Sequence, residues 1–282
     1  VLTTWQDKVY QMPFNLETIN SFFNLNLNPS EAKIFLAKEI SKEMISQPKN
    51  LEEKAISLIG RSLYEAFIKG YSIKHWGKDP KELPASIISR IPVRFNYNEN
   101  YFLDAKWQGV PLEGYTIIFD RLLASKNIHV ELNCDYLKNR KAFKARKKTI
   151  FTGAIDSFFN HEFGRLDWRS VKFESSTVEV EDYQGTSVMN YADIEFPYTR
   201  IHEPRHLHPE RRYSKKNTMI IKEKSISDSK APYYPIKSEE NQKLFKKYKA
   251  LAQKDKQLII GGRLGDYAYY DMDKTIASAL HC

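Results

Sequence analysis

Through the first ninety residues, apolar positions recur every three or four places. In LEEKAISLIGRSLYEAFIKGY (51–71), Ile56, Ile59, Leu63 and Phe67 fall on one stripe, the spacing of a helix with one buried face. Asn50 followed by Glu53 supplies a capping-box-like start. Pro29-Ser30-Glu31 opens a second run, SEAKIFLAKEISKEMIS, with proline in the first turn, where its missing N–H costs nothing. Asp79-Pro80 predicts a further short helix in the same way. Residues 1–91 therefore read as mainly helical.

After Pro92 the period changes from about 3.6 toward 2. VRFNYN, RSVKFESS, TSVMNY, FPYTRIHE and TMIIKEKS are short, β-branched or aromatic, and partly alternating, which predicts an antiparallel sheet. Two other segments, EGYTIIFDRLLASKNIHVELNC with KKTIFTGAIDSFF, and SEENQKLFKKYKALAQKDKQLIIGGRLG, read as a helix and then an apolar strand ending near glycine, as α/β units do. The pattern predicts a mixed α+β (α/β) chain with interleaved modules. These are a helical part over 1–91, an antiparallel sheet over 92–112 and 160–236, and an α/β part over 113–159 and 237–282.

Composition narrows this picture. The chain has 282 residues, 41% hydrophobic and 28% charged, and no apolar run approaches the ~18–20 residues of a membrane span. Two cysteines, Cys134 and Cys282, make no disulfide framework and fit a cytoplasmic setting. Cys134 closes an expected strand and reads as a small buried thiol. A net charge of +9 favours an anionic partner. Part of that charge lies in KNRKAFKARKKT (138–149), where aromatics are not interleaved as a platform for stacking bases would need. No nucleic-acid motif accompanies it, and a solvated segment is its plainer reading.

The candidate chemistry begins with a tempting match. HEPRH (202–206) fits H-E-x-x-H, but that zinc motif needs both histidines on one helical face, and Pro204 lies between them. A polar loop is expected there, and no metal. No carboxylate pair, nucleophile elbow, P-loop or G-x-G-x-x-G stands out. Arginines say more: Arg94, Arg200 and Arg263 follow proline- or glycine-bearing turns at strand edges, suited to bidentate phosphate contacts. Tyr234 and Tyr269 add phenols in similar settings, and GGRLGDYAYYDMDK turns from strand to helix start, a place for an anion. KGYSIKHWGKDP (69–80) sets Tyr71 and Trp76 among glycines, either as a helix end on the core or as a stacking face for a flat ligand. These residues alone reach only a diphosphate-bearing, aromatic-headed ligand.

Longer strings are more specific. YEAFIKGYSIKHWGKDPKELPASIISRIPVRFNYNENYF, YQGTSVMNYADIEFPYTRIHEPRHLHPER, APYYPI and GGRLGDYAYYDMDKTIASAL together resemble the UDP-galactopyranose mutase family, collinearly from about Pro13 to Leu280. The resemblance implies an isomerase that interconverts UDP-galactopyranose and UDP-galactofuranose for cell-surface glycans. Reduced FAD would attack the anomeric carbon through flavin N5 as UDP leaves. It implies that Phe67 and Tyr71 hold the uracil, that Trp76 lines the substrate cleft, and that Arg94 closes over the diphosphate. Arg200, Tyr234 and Tyr269 would make further diphosphate and sugar contacts. Arg263, Asp271 and Met272 would lie near the flavin, and Arg94, Arg200 and Arg263 would serve catalysis. A homodimer is compatible with it.

The chain also departs from the family pattern. The family's opening dinucleotide-binding unit is absent, so Val1 is expected to begin after it and the chain to bind FAD poorly alone. Trp107 stands where tyrosine is usual, at a substrate-facing position, and KEKS (222–225) replaces REYS. These changes leave open a preference for UDP-N-acetylgalactosamine, or a UDP-sugar-binding module without catalysis.

Overall fold

A computed structural model of the chain describes residues 1–88, 93–100, 102, 105–227 and 231–282. The change of texture expected at Pro92, with the boundary after residue 91, lies outside them. The described strands are β1 (Leu2–Trp5), β2 (Lys8–Gln11), β3 (Thr149–Phe151), β4 (Trp168–Val178), β5 (Val188–Tyr191), β6 (Arg200–His202), β7 (Thr218–Ile226), β8 (Tyr234–Pro235) and β9 (Leu258–Ile260). The chain divides into two compact units, 1–108 with 170–227 and 109–169 with 228–282.

In the first unit the helical reading of the N-terminal region is realised by α1 (Leu16–Phe23), α2 (Pro29–Ser41), α3 (Leu51–Leu63) and α4 (Gly70–Trp76), with a π-helical segment Tyr64–Lys69 before α4. Asn28 caps α2 through a capping box with Glu31. Asn50 caps α3 by accepting from the Glu53 amide at 2.9 Å. The stripe Ile56, Ile59, Leu63 and Phe67 is buried throughout. Gly60 breaks its helical geometry with φ +79°, a region that glycine enters without the Cβ penalty. Asp79-Pro80 starts a single 3-10 turn, Pro80–Glu82.

The expected antiparallel sheet forms from four of the five predicted strings, in the order β5-β6-β7-β4. Arg200 faces Glu223 and Asn190, and Ser175 faces Ile221. VRFNYN makes no strand among its described residues: Arg94 and Asn96 bond outward to Phe14 and Leu16 instead. A hairpin at the extreme N-terminus, which the helical reading passed over, extends the sheet. Gln6 and Asp7 adopt positive φ, turn β1 back onto β2, and let β1 pair parallel with β5.

The second unit is α/β. Helix Glu239–Ala252 leads into β9, which pairs parallel with β3. Its core gathers Ile155, Leu166, Trp168, Tyr248 and Tyr267. The Tyr267 hydroxyl lies 2.7 Å from the carbonyls of Asp167 and Ile236. The predicted strand ending at Cys134 does not form, and Cys134 is exposed. The apolar residues Ile128, Val130 and Leu132 around it are exposed as well, so no packed neighbour supports a buried thiol. Among the described residues, no helix is long and apolar enough to cross a membrane.

Candidate functional site

Five of the expected site residues fall into two clusters, one in each unit: Tyr71 with Arg200, and Arg263 with Tyr234 and Tyr269. In the first, α4 carries Tyr71 and Trp76 on successive turns. The Arg200 guanidinium donates through Nη2 to the Tyr71 hydroxyl and lies 6.0 Å from the Tyr71 ring centre. Behind Arg200, Glu223 on β7 is buried, its carboxylate 3.5 Å from Arg200 Nε and 2.9 Å from His202 Nε2. Burial pushes the Glu223 carboxyl up, but the His202 hydrogen bond and the Arg200 charge outweigh it and hold the group below its usual range. Sequence reading missed Glu223 because its partners are a sheet neighbour and a histidine two positions further along. The signal was there in KEKS, as one acid between two lysines on a strand.

This carboxylate has a testable consequence. Glu223→Gln keeps the shape and loses the charge, and is expected to cost about 1–3 kcal/mol in urea denaturation. Because the folded pKa is depressed, the charge stabilises fully above the unfolded value of about 4.5 and is lost as pH falls through the lower folded value. The glutamine variant should therefore lose less of its stability across that acid range than the parent.

Four other expected residues of this unit stand apart. Phe67 is 4% exposed and sits among Trp5, Tyr10, Phe14 and Phe22, with ring centres 5.0–6.3 Å away, a core hub at the end of the buried stripe. Trp76 is 8% exposed, edge-on to His75 at 4.9 Å. Arg94 is 5% exposed, and its Nη1 donates to the carbonyls of Asn98 and Asn100 in its own loop at 3.0 and 2.5 Å. Trp107 is 84% exposed, with Lys106 over its ring at 5.8 Å.

A further residue of KGYSIKHWGKDP, unremarked in the sequence, is tightly engaged. Lys74 Nζ donates to the carbonyls of Tyr191, Asp193 and Tyr198 at 2.7, 2.6 and 3.0 Å. Burial pushes its ammonium down to about 8, with the nearby Asp193 charge pulling the other way.

The HEPRH segment is strand, then 3-10 turn: β6 ends at His202 and Pro204–Leu207 turns, so its histidines share no helical face. His202 belongs to Glu223. His206 Nε2 lies 3.2 Å from Asp182 and 3.6 Å from Glu203, and these three groups have ligand atoms within 4.8 Å of one another. The fully buried Glu203 already accepts from the amides of Tyr183 and Gln184 and from the Thr218 hydroxyl, at 2.7–3.2 Å. A carboxylate so bonded fastens the 182–185 turn to β7.

In the second unit, β9 ends at Ile260 and is followed by Gly261-Gly262, and Gly262 at φ +77° turns the chain into Arg263. The guanidinium carbon lies 5.0, 4.9 and 4.8 Å from the ring centres of Tyr233, Tyr234 and Tyr269, and Tyr234 stacks on Tyr269 at 5.3 Å and 15°. Nε donates to the Tyr233 carbonyl at 2.9 Å and Nη1 to the Tyr270 carbonyl at 3.1 Å. Nη2 is buried and has no hydrogen-bond partner among the described residues. A fixed cation with one unspent donor, among phenols, is equipped to meet an acceptor-rich anionic group. Asp271 and the exposed Met272 begin the helix that follows. Tyr233 joins this cluster through its ring and its carbonyl.

A profile of UDP-galactopyranose mutases matches residues 66–269. Among curated relatives, the chain is 41% identical over 282 residues to a probable UDP-galactopyranose mutase of Klebsiella pneumoniae, covering 99% of this chain and 72% of that protein. It is 39% identical over 281 residues to dTDP-fucopyranose mutase of Escherichia coli, covering 98% of this chain and 74% of that protein. Among solved structures, reduced UDP-galactopyranose mutase aligns with a TM-score of 0.67 over 95% of this chain and 73% of that one, at 12% identity, a likeness of fold.

Proposed function

The chain belongs to the UDP-galactopyranose mutase family, and we propose that it interconverts UDP-galactopyranose and UDP-galactofuranose with FAD as cofactor. The observation that carries this reading is the likeness at 41% identity along the whole chain. The family is flavin-dependent, and the unspent, buried Nη2 of Arg263 suits a group rich in acceptors, as the flavin ring system and its diphosphate are. Arg263, Asp271 and Met272 would hold it. Bound and reduced, FAD supplies the nucleophile that meets the sugar's anomeric carbon.

The chain's own residues position substrate and balance charge. Tyr71 offers a ring face to the uracil, supported from the core by Phe67, and Trp76 lines the sugar cleft. Arg200, oriented by Glu223, stabilises negative charge on the departing diphosphate. Tyr234 and Tyr269 donate phenol hydrogen bonds to diphosphate and sugar, with Arg263 against them. Arg94 orders the 94–100 loop through its carbonyl bonds, and reaching the diphosphate as the resemblance implies requires it to give them up. Trp107 is assigned to the substrate by the resemblance alone. A cytoplasmic location and a homodimeric assembly go with this reading.

The test is direct. The intact enzyme, chemically reduced, should convert UDP-galactofuranose to the pyranose by chromatography, and should show flavin absorbance. A parallel incubation with dTDP-fucopyranose addresses the second relative's chemistry. UDP binding without conversion of either sugar would leave a binding module in place of the enzyme. Tyr71→Ala should weaken UDP binding by about 1–3 kcal/mol, the scale of base–aromatic stacking, in calorimetric titration. Unchanged affinity in a folded variant would remove Tyr71 from the uracil.

A further inference from the structure

We propose that Lys74 is a positioning residue for the nucleotide-sugar site, locking α4 and the strand that carries Arg200 into one arrangement so that Tyr71 and Arg200 meet. This rests on the roles just assigned to those two residues.

The geometry is that of a clamp. Residues 191–199 leave β5 and return into β6, and the Tyr191 amide donates to the Thr199 carbonyl at 2.9 Å across the neck of that excursion. Lys74 reaches both sides of the neck, bonding the Tyr191 and Tyr198 carbonyls, and enters the loop at Asp193. An ammonium has three donors on a compact centre, and three carbonyls converge on this one. Arginine's planar fork has no such geometry, and a neutral side chain would strip three carbonyls of their shared donor.

The backbone makes the same contact closer still. One turn earlier on the same helical face, a Cβ at Gly70 would stand 2.4 Å from the Ala192 carbonyl oxygen, so α4 lies directly on the loop and only glycine permits it. Arg200 follows Tyr198 by two residues, with the buried Thr199 between. Tyr71 precedes Lys74 by three and shares its side of α4. The Tyr71–Arg200 hydrogen bond therefore joins two elements already held together at Lys74, 117–124 residues apart in the chain.

The test is a double-mutant cycle in the intact enzyme, with UDP affinity measured by calorimetry for the parent, Lys74→Met, Arg200→Ala and the double variant. Lys74→Met should weaken UDP about tenfold with unchanged far-ultraviolet circular dichroism. In the Arg200→Ala background it should add almost nothing, because coupled residues are non-additive. Independent, additive losses, or unchanged affinity for Lys74→Met, would overturn the assignment, since a residue serving stability alone has no reason to act through Arg200. If Lys74→Met does not fold, Lys74→Gln enters the same cycle with two donors kept. Amide exchange decides the clamp without ligand: helix 70–76 and the Tyr191 amide should speed up together in the variant. Separate or unchanged exchange counts against it. If the parent enzyme neither binds UDP nor converts a sugar, the functional reading fails while the exchange result still stands for or against the clamp.

Discussion

Arg263→Ala in the intact enzyme is expected to lower kcat by about 10²–10³-fold, the loss seen when a pre-aligned electrostatic donor is removed. Three rings within 5.0 Å and two backbone carbonyls hold this guanidinium in place, so it needs no reordering when charge develops nearby. Its third nitrogen, Nη2, is left for a ligand. Arg263→Lys keeps the charge and loses the fork, and should recover only part of the rate. Stopped-time conversion of UDP-galactofuranose, with flavin content measured on the same samples, separates a lost cofactor from a lost transition-state contact. Turnover within threefold of the parent at full flavin content would end the catalytic assignment.

Phe67→Ala is expected to destabilise the first unit by about 3–5 kcal/mol, the usual cost of deleting a buried phenylalanine. Four aromatic rings pack around it, mostly in the tilted or edge-on arrangements that ring quadrupoles favour, and the cavity would sit where α1, the N-terminal hairpin and the π-helical turn converge. Urea denaturation followed by circular dichroism reads the loss, and Phe67→Leu should recover more than half of it. A variant that keeps nearly all its stability yet binds UDP far more weakly would instead put Phe67 on the uracil, where the resemblance alone sets it.

Local order was legible because its causes are local. Asn28 with Glu31 and Asn50 with Glu53 cap helices through bonds three residues long. The Ile56–Phe67 stripe follows from helical period, and the β4, β5, β6 and β7 strings from alternation. The collinear strings carried the family because their identity does not depend on packing. The two readings of KGYSIKHWGKDP, stacking face or core, were divided by the fold: Trp76 turns inward, while Tyr71 turns to Arg200.

What only the tertiary structure decided lies between residues far apart. The hairpin at residues 2–11 is a sheet element because β5 waits for it 187 residues later, and no pattern within ten residues announces such a partner. Cys134 is exposed because the strand that would have buried it does not form. Lys74 looks like any surface lysine on its helix until three carbonyls from beyond residue 190 close on it. Arg263 gains its cage from tyrosines on both sides of a helix that intervenes in sequence. Hydrogen bonds and ring contacts of this kind act over a few ångströms, and only the folded path of the chain brings such residues within that reach.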